Sequence, residues 1–481
     1  MTQTTRQLVR TASAIAVLLA AMFSTSAQAA ATVAQDLSAA LQSGIAPVIV
    51  QRKGGATLMT LDRRAVEQLV QSSEVLSISP DRIVRANLDS GRQSVGGDIA
   101  YTRYGVTGRG VTIALIDSGL AKDAAVDEAR VVARVDFVDP KGGARDGFGH
   151  GTHIAGIIGS SRGIAPDVKL AVLRVLNENG EGRLSNVLNA IDWTIEHKDA
   201  LGIRIVNLSL GYAPQMSSRL DPLNLAVQRA WDAGLTVVTS AGNRGRSGYF
   251  TINAPGNDPR VITVGAMNDF NTAARGDDMI TTYTSRGPTA YDLAVKPDLV
   301  APGNKIRGPL APGASIATNY PEKVVAGELE LSGSSMSAGF VAGAAALMIE
   351  RQPRLTNDLI KRALMLSAEK RDDIDVLARG AGYIDIPAAL ETVSAFTSFG
   401  RVTSASPLMA RTEPGIVLFQ LGAKNRLTPM VGHDKVYGGG AVWGDGVLWG
   451  DGVLWGDGVL WGDGVLWGDG VLWGDGILIG D

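Results

Sequence analysis

An alternation running through the middle of the chain restricts its fold more than any other feature. Short β-branched runs, VTIALID, LAVLRVL, IRIVNLSL and LTVVTSAG, are separated by helical stretches such as LSNVLNAIDWTIEHK and LNLAVQRAWDAG. Strands that are apolar without interruption need cover on both faces. The pattern therefore specifies the α/β class, a doubly wound, mostly parallel sheet with helices on both faces. In such sheets ligands gather beyond the carboxyl ends of the strands. Three of the runs end there in polar or glycine residues, Asp117-Ser118-Gly119, Ser209-Leu210-Gly211 and Ala241-Gly242-Asn243, so a site is expected among them. Lys and Arg total 45 against 48 Asp and Glu, a balance that provides no basic surface for nucleic acid.

The first residues, MTQTTRQLVR, then TASAIAVLLAAMF, then STSAQAA, follow the basic, apolar, small-residue order of a secretory signal peptide, with cleavage expected after Ala29. The apolar run falls well short of the roughly 20 residues that span a bilayer, so no stable membrane span is expected and the chain is read as secreted, extracellular or periplasmic. Cysteine is absent, which excludes disulfides in an exported protein. Residues 30–89 read as a small α+β unit: PVIVQRK as a strand, RRAVEQLVQSS as an amphipathic helix, VLSIS and RIVRANL as strands. The alternating region spans 90–395, a linker or extension spans 396–440, and 441–481 is a tail in which Trp-Gly-Asp-Gly-Val-Leu recurs.

Hydrolysis through a serine needs a nucleophile, a base, a group that orients the base and donors for the oxyanion. The chain has a candidate for each. Asp117 ends a strand, where an aspartate is otherwise a turn or cap residue. His150 opens His-Gly-Thr-His-Ile-Ala-Gly, whose small residues allow tight packing of a helix. His150 and His153 could also be a metal pair, but no nearby Glu or Cys completes a zinc set. Ser335, in Gly333-Ser334-Ser335-Met336-Ser337-Ala338, precedes the apolar FVAGAAALMIE and stands at a helix N terminus, where it could merely cap the helix or could lie beside free N–H groups and a positive dipole end. Gly108-Arg109-Gly110 precedes its strand and is a turn, not a phosphate loop.

Taken in order, VTIALIDSG, GHGTHIAGIIG, IVNLSLG, SAGNRG, SRGP, KPDLVAPG and GSSMSAGFVAGAAAL resemble the successive blocks of the subtilisin-like serine proteases, the subtilase family. The resemblance implies a catalytic Asp117, His150 and Ser335. It also implies an oxyanion hole made by the Asn243 amide and the Ser335 backbone N–H. Substrate would bind along Ser209, Leu210, Gly211 and Gly242, by strand addition of an extended polypeptide. Residues 30–89 resemble the family's inhibitor-type propeptide, which implies an intramolecular inhibitor removed by the enzyme itself. Two positions depart from the family: Ser334 where Thr is usual, and Gly339 where Pro is usual, the latter costing ~1 kcal/mol of helix propensity. No cofactor is required; calcium stays open, with no ligands assigned.

A different class of function remains. The hexads could stack as a β-solenoid, with Val, Leu and Trp packed and Asp-Gly at the corners, or stay a disordered repeat, and the tail could then be the main structural or surface-binding element. A catalytically dead homologue is the third reading, opposed by the presence of all four catalytic positions.

Overall fold

The computed structural model describes residues 31–34, 36–86, 95–122, 124–272, 274–397, 404–412, 415–421, 427–429 and, from 441 onward, the strands named below. The signal segment 1–29 lies outside these residues. The described chain divides at Pro80 into two compact units.

In the first unit, β1 (Ile45–Arg52) pairs antiparallel with both β2 (Gly55–Asp62) and β3 (Val75–Pro80), and the short strand Thr32–Val33 runs parallel to β3. Between β2 and β3 lies α1 (Arg63–Val70), in the expected place; Asp62 caps it by accepting from the Ala65 N–H. Val48, Val50, Val66 and Ile78 are core residues of this unit. The sequence reading gives no strand for β2. Its side chains are largely exposed or half-buried on both faces, so the alternation that marks a half-buried strand is weak there.

The second unit begins with Asp81, ahead of the boundary expected at residue 89. Its first strand, β4 (Ile83–Ala86), explains the difference, because it pairs with strands of this unit. The main sheet contains β5 (Thr112–Asp117), β6 (Val131–Asp136), β7 (Lys169–Arg174), β9 (Ile203–Leu208), β11 (Thr236–Ser240), β12 (Ile262–Asn268) and β13 (Leu299–Pro302). These lie in the order β13-β12-β11-β9-β5-β7-β6, all parallel, with a short antiparallel strand, Met279–Ile280, added on β12. The doubly wound α/β fold is as the alternation requires. Every residue of β5 and β11 is buried, as a sheet covered on both faces demands. The main helices are α2 (His150–Gly159), α3 (Leu184–Leu201), α4 (Pro222–Asp232) and α5 (Ser334–Arg351). Outside the sheet, β8 (Glu181–Arg183) and β10 (Leu210–Gly211) flank β4. The chain leaves β5 for β6 and β7 on one side and returns to β9 on the other. Asp117, at the end of β5, therefore stands at the topological switch point where such sheets place their ligands.

Residues 404–409, within the stretch read as linker or extension, are tied to this unit: Val295 N–H donates to the Pro407 carbonyl and Met409 N–H to that of Leu293. Beneath them Asp298 accepts from Lys296 Nζ at 2.7 Å and lies 3.0 Å from Lys361 Nζ, all three side chains fully buried, and Ser406 Oγ also donates to Asp298. Among the described residues no helix is long and apolar enough to cross a membrane.

In the tail, β14 (Ala441–Trp443), β16 (Val453–Trp455), β18 (Val465–Trp467) and β20 (Ile477–Ile479) form one parallel sheet, while β15 (Gly446–Trp449), β17 (Gly458–Trp461) and β19 (Val471–Trp473) form another. Trp443 pairs with Trp455 and Trp455 with Trp467, so each rung advances by two hexads.

Candidate functional site

Asp117 and His150 meet in the interior. His150 Nδ1 lies 2.7 Å from Asp117 Oδ1, and neither side chain is exposed. The carboxylate is fixed in turn by the Ser118 N–H at 2.7 Å. Such a partner selects the imidazole tautomer with its proton on Nδ1 and leaves Nε2 as a base. The helix α2 that carries His150 has no capping side chain at Gly149, its N-cap residue. Its start is held by Asp146 instead, which accepts from the N–H groups of Phe148, Gly149 and Thr152 and from Ser118 Oγ. Ser118 Oγ in its turn accepts from Gly151 N–H. Asp146 and Ser118 thus tie the end of β5 to the start of α2, and so hold the two site residues in register. Burial raises the Asp146 carboxyl above its ordinary value, while hydrogen bonds from Thr152, Gly149 and Ser118 hold it back. The sequence reading passes over Asp146, whose partners Ser118 and Thr152 reach it only through the fold.

The second histidine is otherwise engaged. His153 Nε2 lies 2.9 Å from the Ile306 carbonyl, so that nitrogen carries the proton, and burial pulls the imidazole down to about 3. The two rings have separate partners, a carboxylate and a backbone carbonyl. Among the described residues no three His, Asp or Glu side chains converge as a metal site requires.

Ser335 stands in the first turn of α5, where backbone N–H groups have no intrahelical acceptor. Its Oγ donates to the Ser209 carbonyl at 3.1 Å, and Ser209 Oγ donates to the Ser335 carbonyl at 3.0 Å, which joins the nucleophile candidate to the strand read as substrate-binding. Ser334 has a role the sequence reading did not give it. Asn243 Oδ1 accepts from both the Ser334 N–H at 3.0 Å and its Oγ at 3.1 Å, and Ser334 Oγ accepts from the Gly242 N–H. With Oδ1 occupied, the Nδ2 end of Asn243 is left to donate elsewhere. Either hydroxyl residue, Ser or Thr, can make these bonds.

Gly339 takes on a different meaning. A Cβ there would lie 3.3 Å from Ile157 Cγ2 and 3.5 Å from Ile154 Cγ2, both on α2. Its bareness lets the helix of Ser335 lie close on the helix of His150. Gly242 has φ +103° and would place a Cβ 2.8 Å from the Asn253 side chain, and a Cβ at Gly211 would lie 2.2 Å from the Ala254 carbonyl oxygen. Neither position accepts another residue without displacement.

Beside these residues lies an extended strand. β4 pairs antiparallel with β10, Ala86 opposite Leu210 and Arg85 opposite Gly211, and on its other edge with β8, Arg85 opposite Glu181 and Ile83 opposite Arg183. Residues ahead of it are anchored too. Asp81 accepts from the Ser185 N–H and Oγ in the first turn of α3, and the Arg82 carbonyl accepts from the Leu184 N–H.

The Peptidase S8 subtilase family matches this chain over residues 108–383. Serine protease AprX of Bacillus subtilis (strain 168) is 35% identical over 335 residues, covering 66% of this chain and 74% of the relative. Subtilisin DY of Bacillus licheniformis is 32% identical over 294 residues, covering 60% and 93%. Subtilisin E of Bacillus subtilis (strain 168) is 30% identical over 364 residues, covering 71% and 85%.

Proposed function

The chain belongs to the subtilase family of subtilisin-like serine endopeptidases, acting on polypeptides, and from that premise we propose that Asp117, His150 and Ser335 are its catalytic residues. The observation that carries the assignment is the fully buried 2.7 Å contact between Asp117 and His150, at the switch point of the sheet. Ser335 Oγ attacks the scissile carbonyl carbon while its proton passes to His150 Nε2. Asp117 stabilises the imidazolium without taking the proton. The oxyanion is met by Asn243 Nδ2, whose other end Ser334 holds, and by the Ser335 N–H. His150 then gives the proton to the leaving amine, and the C–N bond breaks to leave an acyl-enzyme. Water attacks the ester with His150 again as base, releasing the carboxylate product and restoring Ser335.

The same proposal extends to maturation. The chain is exported by its first 29 residues, and residues 30–89 are a propeptide whose last strand occupies the substrate position. The pairing of β4 with Leu210 and Gly211 supports this reading, since it is the antiparallel addition an extended substrate would make. The test is inhibition. Reagents that acylate or phosphorylate an activated serine should abolish peptide hydrolysis by the exported protein, and a zinc-selective chelator should not. Activity lost to the chelator and kept after serine-directed treatment would refute the assignment. The tail is a separate element for attachment or assembly, a role its repeated ladders favour.

A further inference from the structure

Arg82, the residue just before β4, reaches a place that peptide hydrolysis does not account for. Its guanidinium stacks over the Tyr212 ring, 4.9 Å from the centroid, and its Nη1 lies 3.6 Å from Asp221 Oδ2. The Asp221 side chain is wholly buried, and those of Arg82 and Tyr212 nearly so. Asp221 has two duties on its two oxygens. Oδ1 accepts from the Tyr212 hydroxyl at 2.7 Å and from the N–H groups of Leu223 and Asn224, capping α4. Oδ2 makes no hydrogen bond among the described residues; the cation it faces is Arg82.

We infer that Asp221 and Tyr212 form a recognition subsite for an arginine side chain of the substrate, a conclusion that rests on the proposed placement of substrate along β10. The pairing fixes the register. Residue 85 lies opposite Gly211, so Arg82 is three residues to its N-terminal side, and a substrate in the same pairing presents its own side chain at that point to Asp221. When residues 81–86 give way to substrate, the Asp221 carboxylate loses its counter-charge. A buried carboxylate without a cation is costly, so peptides that restore one are preferred. The ring sharpens the choice. A flat guanidinium stacks on an aromatic face, whereas a lysine ammonium offers only a point charge, so arginine is favoured over lysine. The substrate class is therefore an extended polypeptide with arginine well upstream of the cut bond.

The probe is the chain's own segment, a quenched fluorescent peptide of the sequence Asp-Arg-Ile-Val-Arg-Ala-Asn-Leu-Asp-Ser, compared with the same peptide carrying citrulline in place of the first arginine. Citrulline keeps the shape and removes the charge. The full-length exported enzyme, allowed to mature, should cleave the arginine peptide with a kcat/KM about tenfold or more higher, the size expected of one charge-assisted contact. In Asp221→Asn, which keeps an oxygen for the cap, the ratio should fall to near one. A ratio near one in the wild-type enzyme overturns the inference whatever becomes of the variant, and so does an undiminished ratio in Asp221→Asn. Failure of the wild-type enzyme to cleave either peptide, or any other, refutes instead the protease assignment on which the subsite rests.

Discussion

The molecule contains two parallel β structures made by opposite rules. In the main sheet no two strands share a sequence, and each returns through a connection long enough to hold a helix. In the tail the same three residues, Val, Leu and Trp, recur at almost every rung, and only two or three residues separate successive strands. The difference lies at the strand ends. Heterogeneous strands bring an Asp, a Ser and a Gly-Asn to one crevice from β5, β9 and β11, and three unlike ends can converge on one reacting group. Identical rungs present the same group at fixed spacing along a line, which suits a surface and not a transition state.

If the contrast is right, chemistry should be lost by single changes in the main sheet and untouched by removal of the tail. Ser335→Ala should produce the largest effect, peptide hydrolysis falling by about six orders of magnitude, a figure that belongs to subtilisin's own nucleophile. One hydrogen bond to Ser209 is lost, about 1 kcal/mol, too little to unfold the domain. The variant should therefore be exported folded and still carry residues from about Ala30 to Leu88. N-terminal sequencing of wild type and variant from a host without other extracellular proteases checks this, and identical starts near Ser90 would show that another protease does the cutting. Asn243→Ala comes next, lowering kcat by about 10²–10³, again subtilisin's magnitude for its amide donor, with KM little changed. Steady-state kinetics in which only KM moves would reassign Asn243 to substrate binding.

A smaller effect concerns stability. Burial pulls the Lys296 ammonium down to about 7 from 10.5, the attraction of Asp298 opposing the shift and the second cation, Lys361, adding to it. Between those values the unfolded chain binds more protons than the folded one, so stability should rise with pH from about 7 towards 10.5 and stay flat below 7 as far as this group decides it. Urea midpoints measured in the Ser335→Ala background should show that slope, and Lys296→Met should flatten it. A midpoint that falls between pH 7 and 10 in the first protein, with the same fall in the second, would remove Lys296 from the account. The smallest effect is expected from deleting residues 443–481: hydrolysis of short peptides unchanged, attachment or assembly altered. Loss of short-peptide activity would erase the distinction between the two β structures.

The places of Asp117, His150, Ser335 and Asn243 were legible because each lies near the end of a strand or the start of a helix, in a motif that contains glycine. Asp146 was not, since a lone aspartate before a glycine reads as a turn until the chain folds Ser118 and Thr152 onto it. Nothing in the sequence sets Lys296 apart from a surface lysine, and only packing against Asp298 and Lys361 reveals a buried cluster. The link from Arg82 to Tyr212 and Asp221 spans more than a hundred residues of chain, and no local pattern announces such a contact. The division at Pro80 has no local mark for a related reason: β4 reads as one more strand of the preceding unit, and its partners lie about a hundred residues further on.

The two-hexad step of the tail also limits how this sequence can change by gain or loss of repeats. Successive hexads alternate between the two sheets. Duplication of one hexad leaves the reading of every later residue intact but hands each later strand to the opposite sheet, so the far end of the tail turns over. Duplication of two hexads restores the original faces and lengthens the stack by one rung, about 4.8 Å. Copy number here acts as a ruler with a parity: even changes alter reach, and odd changes alter which side is presented.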